Sequence, residues 1–216
     1  MEPITIALPK GRLLERIREF FAALDMRVSF SERRLVCLDS RNGLKFLLVK
    51  NSDLPTYVRY GIAGLGICGE DILFESGHQF FTLLEFPFGR TRLCLAGKKG
   101  SALTPEERLR GIKVATKYPR FTQSTFNARK VAVELIKLDG SVELAAVLGL
   151  APFIVDLVET GSTLRAHGLE VLEPLKEVGV HLISNPAYYK LRYREIDALV
   201  ERLKKGVRGG LQKTVS

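Results

Sequence analysis

The stretch Phe153-Ile154-Val155-Asp156-Leu157-Val158-Glu159-Thr160-Gly161-Ser162-Thr163-Leu164 reads as an apolar strand that delivers two acids and then a Thr-Gly-Ser-Thr turn opening into a helix. A buried strand feeding a helix through a short polar turn is the unit of an α/β protein, because a parallel strand needs a crossover helix to return the chain. The turn itself concentrates backbone N–H groups and hydroxyls on one spot beside a positive helix end. Gly161 admits close backbone approach or positive φ, Thr160, Ser162 and Thr163 carry donors, and Asp156 and Glu159 accept from sugar hydroxyls. On local chemistry alone it fits a phosphate cradle or an ordinary capped helix.

Outward from this stretch the same alternation repeats. Ile4 to Leu8 predicts a buried strand; Leu13, Leu14, Ile17, Phe20, Phe21 and Leu24 follow at helical spacing, which leaves Pro9-Lys10-Gly11-Arg12 as the strand-to-helix turn. Leu44 to Val49 and Ile62 to Cys68 predict further strands, with a helix opening at Ser52-Asp53-Leu54-Pro55 and another running through Ile72 and Leu73. Phe86-Pro87-Phe88-Gly89 interrupts the periodicity before a strand at Leu93 to Ala96, so a crossing between two lobes is expected there. Thr104-Pro105-Glu106-Glu107 predicts a helix N-terminus, and Ile112 to Thr116 and Val131 to Leu138 predict strands. A short strand at His181 to Ser184 and a helix carrying Ile196, Leu199, Val200 and Leu203 complete the chain, followed by a loose basic tail.

The 216 residues, 46% of them hydrophobic and 26% charged, have the composition of a globular protein with a packed core. No run of roughly 18 apolar residues and no signal-peptide pattern is present, so the expectation is a cytoplasmic protein with no membrane partner. Cys37, Cys68 and Cys94 are odd in number, far apart and set in apolar stretches, and His78, His167 and His181 lack ligand spacing. They predict core cysteines and no protein-held metal. The net charge of +9 invites a nucleic-acid reading, but Arg202, Lys204, Lys205, Arg208 and Lys213 near the end supply much of it and no nucleic-acid motif appears. No nucleic-acid partner is expected. The glycines of Gly64-Leu65-Gly66-Ile67-Cys68-Gly69 have the wrong spacing for a dinucleotide site and are read as close backbone packing.

The stretch 143–164, ELAAVLGLAPFIVDLVETGSTL, resembles the signature of the ATP phosphoribosyltransferase family, meeting it at Glu143, Gly149, Ala151, Ile154, Asp156, Thr160, Gly161, Thr163 and Leu164. IALPKGRL at 6–13, DLPTYVRYGIAGLGICGEDIL at 53–73, GRTRLCLA at 89–96, VATKYPRFT at 114–122 and KLDGSVELA at 137–145 resemble the same family, so the likeness covers most of the chain. Pro152, His167 and Glu70 depart from residues common there and put only peripheral contacts in doubt.

The resemblance implies a two-lobed α/β fold like the type II periplasmic binding proteins with the active site in the inter-lobe cleft. Lobe I is expected over 1–88 with 179–216 and lobe II over 89–178. It implies transfer of phosphoribosyl from 5-phosphoribosyl-1-pyrophosphate to N1 of ATP, opening histidine biosynthesis, with Mg²⁺ carried by the substrate. Glu143, Asp156, Glu159, Thr160, Gly161, Ser162, Thr163 and Leu164 are then expected to bind the phosphoribosyl substrate. Lys10, Arg12 and Lys50 are the expected catalytic cations, and Gly11, Arg33 and Arg34 the expected contacts for ATP or pyrophosphate. The length resembles the short form of the enzyme, which implies a homodimer and a hetero-oligomer with a regulatory subunit similar to histidyl-tRNA synthetase. The alternative is a non-catalytic two-lobed module that binds a phosphorylated metabolite.

Overall fold

The computed structural model describes residues 2–31, 34–101, 104 and 111–213. The chain forms two compact units, Met1–Gly89 with Gly179–Ser216 and Arg90–Val178.

In the first unit, β1 (Ile4–Pro9) is almost wholly buried and passes through the Lys10-Gly11 turn into α1 (Arg12–Ala22), which buries Leu14, Ile17 and Phe21 at one-turn spacing. β2 (Val36–Asp39) pairs antiparallel with β3 (Leu44–Val49), and β3 pairs parallel with β1. A single 3-10 turn (Asn51–Asp53) precedes α2 (Leu54–Arg59), with Pro55 in its first turn where a missing N–H costs nothing. β4 (Leu65–Gly69) runs parallel to β1 and leads directly into α3 (Glu70–Ser76), closed by left-handed Gly77.

Strand alternation divides this sheet between two cores. Ile6 and Leu8 face α1 and the helix at the chain's end, while Ala7, Cys68 and Ile183 face Leu54 and Val58 of α2. The glycines at 64 and 66 are there for packing. A Cβ on Gly64 would lie 2.0 Å from the Tyr188 ring, and one on Gly66 2.7 Å from Leu54.

The second unit holds the half of β5 (Phe81–Lys98) beyond Gly89, then β6 (Ile112–Thr116), α4 (Pro119–Ala128), β7 (Val133–Lys137), α5 (Glu143–Val147), β8 (Phe153–Val158) and α6 (Ser162–Ala166). Its strand order is β5-β8-β6-β7; β8 and β7 run parallel to β6, and β5 runs antiparallel to β8. Its core is built from small residues, with Ala115 and Ile154 of the sheet packed on Ala145 and Ala146 of α5 and Leu164 of α6.

Four expectations are corrected. The Phe86-Pro87-Phe88-Gly89 stretch does not interrupt a strand: β5 runs unbroken over Phe81–Lys98. Phe86 and Phe88 point inward and meet Phe20 at 5.3 and 5.6 Å, while Pro87 is exposed and lies outside the Arg92–Gly97 segment that pairs with β8. His181 to Ser184 is only the end of β9 (Leu169–Ser184), whose earlier half is masked in the sequence by Pro174 and charged residues.

β4 begins at Leu65 rather than Ile62, which is 61% exposed in the preceding turn. The tail is not loose, because α7 (Pro186–Lys213) continues through it. Gly206 is the reason it packs: a Cβ there would approach Phe20 and Leu24 of the α1 region to 3.0 Å.

The four-residue edge strand β2 had no counterpart in the expectations. Arg33 and the helix start at Pro105-Glu106-Glu107 lie outside the described residues. All three cysteines are buried and free. Among the described residues no helix is long and apolar enough to cross a membrane.

Candidate active site

Open α/β sheets bind ligands beyond the carboxyl ends of their parallel strands, where helix N-termini and strand-to-helix turns converge. Each unit offers one such edge.

In the first unit, β1 and β3 end together, with Pro9 opposite Val49, and the Lys10 N–H donates to the Val49 carbonyl at 2.9 Å. Lys10 and Lys50 therefore follow the last residues of two adjacent strands, and both are exposed. Gly11 has φ 99° and ψ −158°, a conformation only glycine adopts readily, and it turns the chain so that Arg12 opens α1. Arg34 arrives at the same edge from the other direction. β2 is antiparallel to β3, and a bond from Leu48 N–H to the Leu35 carbonyl at 2.8 Å extends that ladder toward Arg34. Four expected cations, Lys10, Arg12, Lys50 and Arg34, thus share one sheet edge.

Asn51, which no sequence signal marked, adjoins Lys50 with its side-chain oxygen buried and without a hydrogen-bond partner among the described residues. Glu70 and Asp71 occupy the first turn of α3 at the end of β4, which is parallel to β1.

In the second unit, β6, β7 and β8 end at Thr116, Lys137 and Val158 on a common edge. The buried Thr116 ties this edge together: its hydroxyl donates to the Val155 carbonyl at 2.7 Å and accepts from the Tyr118 N–H at 2.9 Å. Glu143 is half-buried as the first residue of α5, just past Ser141, whose φ is 48°. Asp156 sits on β8 opposite Cys94, half-buried, and its carboxylate accepts the Leu157 N–H at 2.9 Å.

Beyond β8, Glu159 and Thr160 are exposed and Gly161 takes the left-handed conformation, φ 72° and ψ 10°. The Thr160 and Ser162 hydroxyls share a hydrogen bond at 3.1 Å, and the His167 ring Nδ1–H donates to the Thr163 carbonyl at 2.9 Å. The side chain of Leu164 departs from expectation: it is buried in the core, so only its backbone is available to a ligand.

Arg165 was also not foreseen. Its guanidinium donates to the Thr160 carbonyl at 3.0 Å and its backbone N–H to the Gly161 carbonyl at 3.1 Å. A basic residue four positions past a turn glycine was the only sequence signal for it.

Among the described residues the arrangement offers fixed donors and cations on two sheet edges, which suits binding and orienting polyanions. Among the described residues no group of three or more His, Cys, Asp or Glu side chains is placed to hold a metal.

Comparison with known proteins decides between an enzyme and a binding module. The HisG family model, described as ATP phosphoribosyltransferase, matches residues 50–205. This chain belongs to the ATP phosphoribosyltransferase family.

The family's curated members include an ATP phosphoribosyltransferase of Caldicellulosiruptor saccharolyticus, 45% identical over 209 residues that cover 94% of this chain and 98% of the relative. One from Sorangium cellulosum is 44% identical, covering 96% and 98%. Among solved structures, the ATP phosphoribosyl transferase (HisG:HisZ) complex from Thermotoga maritima superposes with a TM-score of 0.81 at 29% identity, over 95% of this chain and 99% of that one. The periplasmic aliphatic sulphonate binding protein SsuA from Escherichia coli superposes at 0.62 with 12% identity, over 100% of this chain and 77% of SsuA. The second likeness is one of fold alone, that of the two-lobed type II periplasmic binding proteins.

Membership of the ATP phosphoribosyltransferase family makes the chain an enzyme, a pentosyltransferase of the first step of histidine biosynthesis. The binding-module alternative keeps only the shared fold.

Proposed function

We propose that the Thr160-Gly161-Ser162-Thr163 turn receives the phosphorylated ribose of 5-phosphoribosyl-1-pyrophosphate and that the Lys10, Arg12, Arg34 and Lys50 edge receives the phosphates of pyrophosphate or ATP. The observation that carries this reading is the left-handed Gly161 turn at the carboxyl end of β8, flanked by hydroxyls. Gly161 supplies the left-handed turn, and Thr160, Ser162 and Thr163 each present a hydroxyl donor. Asp156, Glu159 and Glu143 share the edge as acceptors for ribose hydroxyls.

The chemistry asks for position and charge. Purine N1 is already a lone-pair nucleophile, so no side chain has to be activated to attack the anomeric carbon. The bond from that carbon to the pyrophosphate oxygen breaks as the bond to N1 forms, and the pyrophosphate departs with several negative charges. Holding nucleophile and anomeric carbon in line supplies the proximity term, and Lys10, Arg12 and Lys50 neutralise charge on the leaving group. Mg²⁺, arriving on the pyrophosphate, supplies further neutralisation. The acids on these edges suit hydroxyl recognition, and the metal is assigned to the substrate's own oxygens.

The proposed setting is cytoplasmic, and the proposed assembly is a homodimer that joins a HisZ-like regulatory subunit similar to histidyl-tRNA synthetase. The support is the likeness to the chain solved in the Thermotoga maritima HisG:HisZ complex.

The test is direct. ATP, 5-phosphoribosyl-1-pyrophosphate, Mg²⁺ and a pyrophosphatase to pull the equilibrium are incubated with the chain, and N1-(5-phosphoribosyl)-ATP is expected. No product, with the regulatory subunit also present, overturns the reading.

A further inference from the structure

Arg165 makes two bonds to the turn it follows, and both go to carbonyls. Its guanidinium Nη1 donates to Thr160 O at 3.0 Å and its own backbone N–H donates to Gly161 O at 3.1 Å. A trans peptide is planar, with its C=O and N–H pointing in opposite directions. Holding the Thr160 carbonyl toward Arg165 therefore turns the Gly161 N–H away from it, and holding the Gly161 carbonyl does the same for the Ser162 N–H. Two successive N–H groups turned to one side of a left-handed turn make a small anion-binding concavity, in which the Ser162 N–H meets the Thr160 Oγ1 at 3.4 Å and the Gly161 N–H is the donor that the carbonyl bond to Arg165 directs.

The Thr160–Gly161 peptide is also the one most free to rotate. Glycine tolerates both hands of φ, so a flip of this peptide meets no Cβ penalty at Gly161. After such a flip the Thr160 carbonyl, an acceptor, would point where an anionic oxygen is to sit. The guanidinium is packed close against the turn, 3.1 Å from where a Gly161 Cβ would stand, and blocks that alternative. The other side-chain bonds within this segment, from His167 to the Thr163 carbonyl and from the Ser162 hydroxyl and N–H to the Thr160 hydroxyl, leave the C=O and N–H of the Thr160–Gly161 peptide untouched.

We propose that Arg165 is a positioning residue for the phosphoribosyl site: it locks the Thr160–Gly161 peptide with its N–H toward the ligand and contacts no ligand itself. This rests on the assignment of the turn to the phosphoribosyl substrate.

Arg165→Ala is the test, with Gly161→Val as the control for the assignment. The expected result is a KM for 5-phosphoribosyl-1-pyrophosphate raised about tenfold, as for release of one preorganised donor, with KM for ATP and Tm unchanged. In the ligand-free Arg165→Ala protein the Gly161 amide resonance broadens by exchange, and added guanidinium ion sharpens it and restores KM. A direct contact to substrate would leave that ligand-free resonance alone.

Wild-type Gly161 and Ser162 amide signals in Arg165→Ala overturn the proposal. So does a rise in both KM values together with a fall in Tm, which marks a structural role. An unchanged KM in Arg165→Ala, while Gly161→Val raises it, overturns the proposal and leaves the assignment standing. Unchanged KM in both variants overturns the assignment as well.

Discussion

Two residues at one strand end illustrate how charge and backbone divide the work. Lys10 is fixed by its backbone bond to Val49, so its side chain is free to reach outward without the turn losing shape. Arg12, two residues later and the first of α1, adds a second cation whose position follows from where the helix starts. Each charge-assisted contact to phosphate is worth roughly 1.5–3 kcal/mol. Lys10→Ala and Arg12→Ala are accordingly expected to lower kcat/KM by about one to two decades each, with the fold intact by circular dichroism. Wild-type turnover in both variants would return the segment to the status of a solvated turn.

Gly161 differs because its cost is paid in the backbone. At φ 72° a non-glycine residue is strained by about 1–3 kcal/mol, and a β-branched side chain also meets Arg165 Nη1 at 3.1 Å. Gly161→Val is therefore expected to lower Tm by several degrees while retaining secondary structure, and to weaken binding of the phosphoribosyl substrate measured by calorimetry. Unaltered affinity in the folded variant would remove the turn from the site.

At the scale of elements, β2 shows how an edge strand too short to announce itself is held. Its four residues place Asp39 inward, 6% exposed, where the carboxylate accepts the Arg27 N–H at 2.8 Å and the Asn42 side-chain amide at 2.7 Å. Burial pushes this carboxyl up, but the bonds it accepts from Arg27, Asn42 and Arg41 together outweigh burial and hold it below the ordinary range.

A carboxyl lowered in the folded state adds stability that is complete above its unfolded value, about pH 4, and is lost as pH falls through the folded value. Asp39→Asn removes that acid-side dependence. The unfolding free energy of the variant, measured by urea titration, is expected to be lower at neutral pH by about 1–3 kcal/mol for a buried donor left unpaired, and to fall less steeply than wild type below pH 4. Parallel pH curves would show that Asp39 is not the group responsible.

The C-terminal helix is anchored by comparable means. Arg192, the one residue of α7 with non-helical φ/ψ, donates to the Glu2 carbonyl at 2.7 Å and to the Tyr188 hydroxyl at 2.9 Å and pairs with Glu195. One kinked position thereby ties the N-terminal segment to the last helix.

For the molecule as a whole the open question is control. The proposed regulatory subunit would carry the effector site, and a ligand that binds there shifts this chain only through a coupling free energy between the two proteins. The isolated chain is expected to be insensitive to histidine. Mixed with the HisZ-like subunit, it is expected to form a hetero-oligomer whose activity histidine inhibits. Saturable histidine binding to the chain alone, with matching inhibition, would place an effector site within it and overturn this expectation.

What the sequence determined by itself was whatever short-range physics writes locally. Short continuous apolar runs set β1, β3, β6 and β8, and near-3.6 spacing set α1, within a residue or two, since a buried strand and an amphipathic helix each need their apolar pattern in place. The Thr160-Gly161-Ser162-Thr163 turn was equally legible, because a left-handed position asks for glycine and an exposed turn for hydroxyls.

Tertiary structure decided the rest. β5 continues through Pro87 and Gly89 only because Phe86 and Phe88 find Phe20 across the core, and the tail is helical because Gly206 lets it close on α1. Arg34 became a neighbour of Lys10 and Lys50 through strand register, which no spacing along the chain encodes. Arg165 acquired its part in the turn through a hydrogen bond to a carbonyl whose direction depends on one peptide plane. Local pattern records which residues must be buried or turned, and only the folded chain determines which distant groups those choices bring within a hydrogen bond of one another.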